Sequence, residues 1–431
     1  VHVADAATYP MHAANGPDGK VYVVGHANPP RDKDENPFAW VLALRAEDGA
    51  ILGERRLGGG DVTDYGRGVL PLPDGGFVVA SSRYTDAAES SVHLWRFDAL
   101  GNVLWEKDYR GETCTLIDRR GLALAENGDI FVAGKALKEP ESTFWDGFLL
   151  RVDPEDGTVL WKATFGGEKN DFPYNVMATG DGGALVVGTT TSYPPHPTAA
   201  FLCKFDPEGN EEWARVFGGG VRHAVWGFDV AAFPDGSGYV FVGPAKPWGE
   251  GGPFAHTIVR VDDAGNLQWL AQLGGVRVDH TYGVAINDAG AIAVAGRGHS
   301  FHDDNMHHAF LALFAPDEDE GAPTEGEGAP SEEEGARAEE EGAHAEEEGA
   351  HAEEEGAHAE EEGARGAAEA YVSSTATKER AALKTPSKET LPRTGEWLTA
   401  GLLSLVGLTA VGAGAAVLVR RRSTSGETGL N

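Results

Sequence analysis

A tight turn followed by an apolar strand recurs through the first 315 residues of this 431-residue chain. It reads DGKVYVVG from Asp18, DGGFVVAS from Asp74, NGDIFVAG from Asn127, DGGALVVG from Asp181, DGSGYVFVG from Asp235 and AGAIAVAG from Ala289, in steps of 56, 53, 54, 54 and 54 residues. A fixed period constrains the fold more than any single motif does, because one short copy cannot bury both of its faces and must stack on its neighbours. Each copy holds four strand-like stretches; in the second they are RGVLPLP, FVVASSR, VHLWRFD and VLWEKDY. Asp-Gly and Gly-Asn dipeptides between them supply the positive φ that short hairpin turns need. Four short strands at a period of roughly 40 to 60 residues predict a β-propeller with one blade per copy. The expected fold is therefore all-β, with about six four-stranded blades over residues 1–315. The copies fall at approximately 1–60, 61–112, 113–168, 169–220, 221–276 and 277–315.

A second signature follows each of the four middle turns: DALGNVLW (Asp98 to Trp105), DPEDGTVLW (Asp153 to Trp161), DPEGNEEW (Asp206 to Trp213) and DDAGNLQW (Asp262 to Trp269). The first copy has EDGAILG, with Gly53 in the Trp position, and the sixth stops after its third strand near Phe314. A repeated Trp of this kind is expected to wedge between blades, with its indole N–H on a backbone carbonyl. The signature resembles the tryptophan-docking repeat of bacterial quinoprotein-type propellers. Asp153, Gly157 and Trp161 keep that repeat's spacing, and the other three copies are one residue shorter before the Gly. The DGG turns and the Phe165-Gly166-Gly167 and Phe217-Gly218-Gly219 elements also resemble tandem repeats of secreted bacterial propellers. The resemblance implies fold; activity must be argued from a site. Quinoprotein dehydrogenases of this kind carry eight blades and a calcium site under the cofactor. With six copies and no cofactor-ligand motif, no cofactor is expected here. The incomplete last copy implies closure by upstream residues, with Val1-His2-Val3 the available segment, or else by a part of the N-terminus that precedes Val1.

The turns are short and uniform, as scaffold is. The loops on the opposite face vary, so that face is expected to carry function. Aligning the copies places Tyr9, Tyr65, Asp118, Phe172, Trp226 and His280 at one equivalent position near the start of each innermost strand. Such a ring would line the mouth of the central channel with aromatic groups, beside Asp64, Arg67, Arg120, Asp171, Arg222, His223 and Asp279. Aromatic faces flanked by acids, Arg and His suit sugars, peptides or small metabolites; the plainer alternative is inter-blade packing. In the last blade the loop HSFHDDNMHH places His299, His302, Asp303, Asp304, His307 and His308 together, a density of imidazole and carboxylate that could hold a divalent metal. It has neither HExxH spacing nor a calcium-loop pattern, and a solvated loop is the alternative. Trp40, Trp145 and Trp248 are further candidate exposed aromatics. GxSxG, Walker and paired-Cys motifs are absent, so no catalytic residues are assigned. Of the two cysteines, Cys114 and Cys203, the second lies on an apolar strand face and is expected as a small buried side chain.

The formal net charge is −33. Residues 316–366 hold 21 acids against Arg337 and Arg365, which gives −19; the residues after 366 sum to +3 (8 basic, 5 acidic), leaving −17 for the head. A head of that sign argues against nucleic acid as a partner, since binding there rests on Lys and Arg displacing counterions. From Glu332 the chain repeats EEEGARA, EEEGAHA three times and EEEGARG, with Gly at 335, 342, 349, 356 and 363. Apolar a and d positions are missing and each Gly costs about 1 kcal/mol of helix. An extended, disordered acidic stalk over 316–390 is the expectation, reaching at most about 250 Å when fully drawn out.

The chain closes with Leu391-Pro392-Arg393-Thr394-Gly395, then an uncharged apolar run of 23 residues from Trp397 to Val419, then Arg420, Arg421 and Arg422. A helix of that length, at ~1.5 Å per residue, crosses a ~30 Å hydrocarbon core. The arginines favour the cytoplasmic side and would halt export. This order resembles the LPxTG cell-wall sorting signal of Gram-positive surface proteins. The resemblance implies sortase cleavage between Thr394 and Gly395 and covalent attachment of Thr394 to peptidoglycan, with residues 391–431 as signal and 397–419 as a transmembrane helix before processing. A sortase substrate is exported, so Val1 reads as a mature or truncated start. The expected function is a wall-anchored surface display protein whose head binds an extracellular ligand. The alternative is a wall-anchored extracellular enzyme, carbohydrate-active or quinoprotein-like, using the channel-mouth residues.

Overall fold

The computed structural model describes residues 6–314, apart from the short stretches 31–34, 86–88, 111–114, 140–141, 194–197, 219–224, 247–252, 275–276 and 301–307, together with residues 415–419. Six sheets follow one another along the chain, five of four strands and the third of five, with antiparallel neighbours within each copy. Blade 1 runs through Ala7–Asn15, Lys20–Asn28, Phe38–Arg45 and Ile51–Leu57. Blade 2 uses Val62–Pro71, Phe77–Thr85, Ser90–Phe97 and Val103–Tyr109. In blade 3 the first strand is broken into Thr115–Leu116 and Leu122–Leu124, and Ile130–Leu137, Trp145–Val152 and Val159–Phe165 follow. Blade 4 holds Asp171–Ala178, Ala184–Thr190, Ala199–Phe205 and Glu211–Phe217. Blade 5 holds Asp229–Ala232, Tyr239–Ala245, Ala255–Val261 and Leu267–Gly274. Blade 6 holds Asp279–Ile286, Ile292–Gly298 and His308–Phe314, with Ala415–Val419 paired parallel to the last of these.

Burial explains why the middle strands read as apolar runs and the outer ones alternate. Every residue of Ala184–Thr190 and Ala199–Phe205 is buried, whereas the outer strands Val103–Tyr109, Val159–Phe165 and Glu211–Phe217 alternate exposed and half-buried positions. A strand covered on both faces loses its period-2 pattern; a strand facing water on one side keeps it. The cores lie between blades. Phe131 and Leu149 of blade 3 pack with Val186 and Phe201 of blade 4, and Leu185, Val187 and Leu202 of blade 4 pack with Phe241 and Val259 of blade 5. Each fully buried Leu or Phe there contributes about 1.5–3 kcal/mol.

The Asp-Gly-Trp signature is the joint between blades. The Trp105 indole N–H donates to the Pro154 carbonyl at 2.9 Å, and the Trp161 indole N–H to the Pro207 carbonyl at 3.0 Å, each in the signature loop of the following blade. The signature Gly of that following blade receives the ring. A Cβ on Gly157, Gly209 or Gly265 would press on Trp105, Trp161 or Trp213 respectively, and all three glycines have positive φ. Gly101, which follows the Trp-less first blade, has nothing within 4 Å of its Cβ position; Arg55 reaches its carbonyl instead, at 2.6 Å. Within blades 2, 3 and 4 a turn acid also pairs with a base on the third strand, Asp74 with Arg96, Asp129 with Arg151 at 2.6 Å, and Asp181 with Lys204.

Cys203 is buried at 2 % exposure and unpaired, with burial pushing its thiol pKa up. Cys114 lies outside the described residues. At the C-terminus, the expected helix over 397–419 meets one difference. Ala415–Val419 are a strand that completes the sixth sheet. The segment reads AAVLV, and an unpaired sheet edge offers it a ladder of N–H and C=O groups. The rest of the apolar run, the LPRTG motif, the stalk 316–390 and Val1-His2-Val3 lie outside the described residues. Among the described residues no helix is long and apolar enough to cross a membrane.

Candidate functional site

Five of the six residues expected at the channel mouth share one register position. Main-chain carbonyls of Tyr9, Phe172, Trp226 and His280 lie against Gly25, Gly188, Gly243 and Gly296 of the second strands, where any Cβ would overlap the carbonyl oxygen. Tyr65 stands opposite Ser82 just as Tyr9 stands opposite His26. Blade 3 departs from the alignment. Leu116, not Asp118, covers the glycine there (Gly134), because the first strand opens between Leu116 and Leu122. Asp118 is thereby displaced and pairs with Lys135 at 2.8 Å.

The mouth is a run of touching rings and cations. Tyr9, 43 % exposed, stacks on His26 at 5.1 Å; His26 meets Tyr65 edge-on at 4.9 Å, and Tyr65 meets Tyr84 at 5.8 Å. Lys135 lies 4.6 Å from the Phe172 ring centre and 5.1 Å from that of Trp145. Trp226, Phe254, His280 and Tyr282 follow in sequence, at 5.0, 5.4 and 6.0 Å between successive ring centres. Arg67 lies 5.5 Å over Tyr65, and Arg297 lies 5.7 Å over Tyr282. His26 is held neutral: burial first, then the Arg67 charge, lower its pKa to about 4, against a hydrogen bond with the Gly66 backbone that raises it.

The three acids expected beside this ring face the joints, not the channel. Asp64, Asp171 and Asp279 are 0 %, 2 % and 0 % exposed. Asp64 accepts from Ser81 Oγ at 2.8 Å and from Arg83 at 3.0 Å. Asp171 accepts from the Gly167 N–H at 2.8 Å and Ser192 Oγ at 2.7 Å. Asp279 accepts from the N–H groups of His299 and Ser300 at 3.0 and 3.1 Å and from the Ser300 hydroxyl. Each lies under a glycine that ends the preceding blade, Gly58, Gly166 or Gly274. These carboxylates clamp the connections into blades 2, 4 and 6 and have little capacity left for a ligand. Trp40 is likewise core, at 4 % exposure. Arg222, His223 and Trp248 lie outside the described residues.

Of the residues that fill the channel, the sequence named Arg67 and Arg120 but missed Met11, Arg119, Tyr174, Phe228 and Tyr282. Register shifts in the first strands leave Met11, Arg67, Tyr174 and Tyr282 unpaired, one extra residue each, and a bulge of this kind re-aims the side chain. Tyr174 and Tyr282 converge with Phe228 on Arg119. The Arg119 guanidinium lies 4.0 Å from the Phe228 ring centre, 5.2 Å from that of Tyr282 and 5.5 Å from that of Tyr174. Tyr174 and Tyr282 on the first strands of blades 4 and 6, and Phe228 just before that of blade 5, meet one side chain along the central axis. Burial lowers the Arg119 pKa, partly opposed by the Tyr174 and Tyr282 hydroxyls and by Asp118. Solvent still reaches the half-buried side chain. Beside it, Asp229 accepts from Arg120 Nη1 at 2.8 Å, Asn175 Nδ2 at 2.6 Å and the Val284 N–H at 2.8 Å, joining blades 3, 4, 5 and 6 through one carboxylate. His12 Nδ1 accepts from the Val69 N–H at 3.2 Å, and burial together with Arg120 holds its pKa well below the usual value. The readable signal was the residue two positions after each aromatic of the ring.

A cation site fits poorly in this channel. Its carboxylates, Asp118 and Asp229, are already engaged by Lys135 and Arg120, and among the described residues no three His, Cys, Asp or Glu side chains are placed to share a metal. The described residues of the channel therefore do not fit the calcium-supported quinone cofactor of quinoprotein dehydrogenases. In the candidate metal loop, His299 and His308 are described, while His302, Asp303, Asp304 and His307 lie outside the described residues. On the rim, a cleft of about 420 Å³ runs between the outer strands of blades 2 and 3, lined by Lys107, Asp108, Tyr109, Phe148 and Lys162. Its acid is spent on Ser91 Oγ and His93 Nδ1, at 2.9 and 2.8 Å. The channel mouth remains the better-formed candidate, suited to a ligand with apolar faces and a negative group.

Among solved structures, the chain is similar to the β-propeller domain of the trilobed protease from Pyrococcus furiosus, at 13 % identity over 70 % of this chain and 80 % of that one, with a TM-score of 0.41. It is also similar to the quinohemoprotein alcohol dehydrogenase of Comamonas testosteroni, at 17 % identity over 55 % of this chain and 42 % of that one, with a TM-score of 0.35. A glucose dehydrogenase matches at 11 % identity over 67 % of this chain and 93 % of that one, with a TM-score of 0.38. No curated protein matches the chain. A family model does, over residues 10–232. By that match the chain belongs to the PQQ_2 family, described as outer membrane protein assembly factor BamB.

Proposed function

We propose that this chain is a binding head displayed at a Gram-positive cell wall, attached to peptidoglycan through Thr394 and carried on the acidic stretch 316–390. The observation that carries the binding half is the division of labour at the channel. The exposed ring of Tyr9 and the half-buried rings of Tyr65, Phe172, Trp226 and His280 line the mouth, while Asp64, Asp171 and Asp279 are engaged in clamps. Among the described residues the mouth offers rings and cations without a free pair of acids, a composition that suits holding a ligand better than acid–base hydrolysis. The display half is supported by the order of the LPRTG motif, the apolar run and the three arginines.

The second reading, an extracellular enzyme, is favoured by Asp146. Its Oδ1 is buried without a hydrogen bond, and burial, reinforced by Asp171 against the opposing Lys138 charge, pushes its pKa up. A carboxyl of that kind can act as a general acid. Both halves are tested in a sortase-bearing Gram-positive host expressing the exported chain. Thr394→Ala should move the protein from the wall fraction to membrane and medium; an unchanged distribution would sink the display reading. A glycan array and hydrolase screen should give saturable binding without turnover, and turnover lost in Asp146→Asn would overturn the binding reading.

A further inference from the structure

The channel is positive inside an acidic head. Arg67, Arg119, Arg120, Arg297 and Lys135 stand there against Asp118 and Asp229. Two of those bases are neutralised, Arg120 by Asp229 and Lys135 by Asp118. Among the described residues Arg67, Arg119 and Arg297 form no ion pair, and Nε of both Arg67 and Arg297 is buried without a hydrogen-bond partner. Arg119 is the most exposed to this imbalance. It sits among Tyr174, Phe228 and Tyr282 with cation–π contacts and no hydrogen-bonded acceptor among the described residues. Aromatic faces recover only part of what a guanidinium loses on leaving water, and a bidentate oxyanion recovers much more.

The rings around it set the body of the ligand. Tyr9, Tyr65, Phe172, Trp226 and His280 are half-buried or exposed at the mouth, offering flat apolar faces with polar phenol, indole and imidazole edges, while the buried, neutral His26 ring stacks among them. Flat faces take the C–H side of a sugar ring, and mixed polar edges take hydroxyls. We propose, resting on the reading of this head as a binding module, that the channel mouth takes an acidic sugar of the hexuronate class, its carboxylate received by Arg119. The overall charge of −33 opposes approach of any anion from a distance, so selectivity for the acid is local, arising where low dielectric strengthens the guanidinium–carboxylate bond.

The test is calorimetric titration of the full chain with D-glucuronate, D-glucose and acetate. Glucuronate should saturate one site, with glucose and acetate each at least ten-fold weaker, since one lacks the charge and the other the ring. Arg119→Gln and Arg119→Met should each weaken glucuronate at least ten-fold, as loss of a charge-assisted bidentate pair does. Without sugar, R119M should melt no lower than the parent, and glucuronate should raise the melting temperature of the parent alone. Equal affinity for glucose and glucuronate, or undiminished glucuronate affinity in R119Q, overturns the assignment. So does an R119M protein that folds but melts well below the parent, which would make Arg119 a structural plug. If R119M fails to fold, Arg119→Lys decides: reduced glucuronate affinity at the parent's melting temperature supports the site, and unchanged affinity overturns it. Wall attachment is read separately by fractionation of the Thr394→Ala variant, so failure of the sugar leaves the display reading standing and failure of display leaves the sugar result standing.

Discussion

Replacing Asp171 separates a clamp from a ligand contact. The carboxylate is 2 % exposed and accepts two hydrogen bonds, from the Gly167 N–H at 2.8 Å and from Ser192 Oγ at 2.7 Å. Hydrogen bonds to a charged acceptor contribute about 1.5–3 kcal/mol each. In Asp171→Ala both donors lose their partner. Gly167 is half-buried and Ser192 partly accessible, so water recovers some of the loss, and relief of the like-charge contact with Asp146 returns a little more. A net cost of about 3 kcal/mol follows. An unfolding entropy of about 2.1 cal/mol/K per residue, over roughly 300 residues of head, is about 0.6 kcal/mol/K, so the melting temperature should fall by about 5 °C. Both donors reach the same oxygen, Oδ2, so Asp171→Asn with its amide oxygen at that place keeps both bonds, loses only their charge assistance, and should melt between the parent and the alanine variant. Scanning calorimetry of the full chain reads the shift, and titration with whichever ligand the glycan array yields reads binding on the same samples. An unchanged melting temperature together with lost binding would refute the reasoning, because a residue of that profile touches ligand and does not hold a joint.

Two further outcomes follow from the joints and from the neutral histidines. Gly209→Val forces a β-branched side chain into positive φ (+89°) and against the Trp161 ring, so it should cost more stability than Trp161→Ala loses through the indole alone, about 3–5 kcal/mol; urea titration of both variants checks the order. His26 titrates at about 4 folded and at 6.5 unfolded, so the unfolded chain binds more protons between those values. Stability should therefore rise with pH across that window and be lost as pH falls through it, by about 3 kcal/mol below both values. The His26→Asn variant should lose much of that slope between pH 7 and pH 4; an identical slope would mean that His26 is not buried neutral.

The period of about 54 residues and the turn chemistry were enough to read six blades, because a propeller repeats one local pattern and its Asp-Gly turns recur at one place in each copy; the strand that completes the sixth sheet, Ala415–Val419, was not read, since it lies about 100 residues beyond the repeat in a run long enough for a helix. The tryptophan joint was legible for the same reason, down to the indole donor on a backbone carbonyl at Trp105 and Trp161. The mouth was only half legible. Alignment found Tyr9, Tyr65, Phe172, Trp226 and His280 because they share a register with a second-strand residue that the repeat preserves. It misplaced Asp118, since nothing in a linear alignment reports that a strand opens and resumes around it. It also gave Asp64, Asp171 and Asp279 to the ligand, because an acid one residue before an aromatic looks the same in sequence whether it turns to the channel or to the joint. Arg119 escaped notice because its meaning comes from three residues roughly 55, 109 and 163 positions away, each unremarkable in its own copy.

The joints run in one direction only. Trp105 inserts into blade 3, Trp161 into blade 4 and Trp213 into blade 5, while the first blade has Gly53 where a Trp would leave it and no glycine among the described residues receives Trp269. A row of dovetails with a missing tongue at one end and a missing slot at the other behaves like a zipper, with strain and thermal opening gathering at the ends and the middle blades staying shut. Amide exchange should accordingly be slowest through blades 3 and 4 and fastest toward blades 1 and 6. Lengthening such a structure requires only another dovetailed unit in the middle, which gives this kind of head an easy evolutionary route to a wider bore.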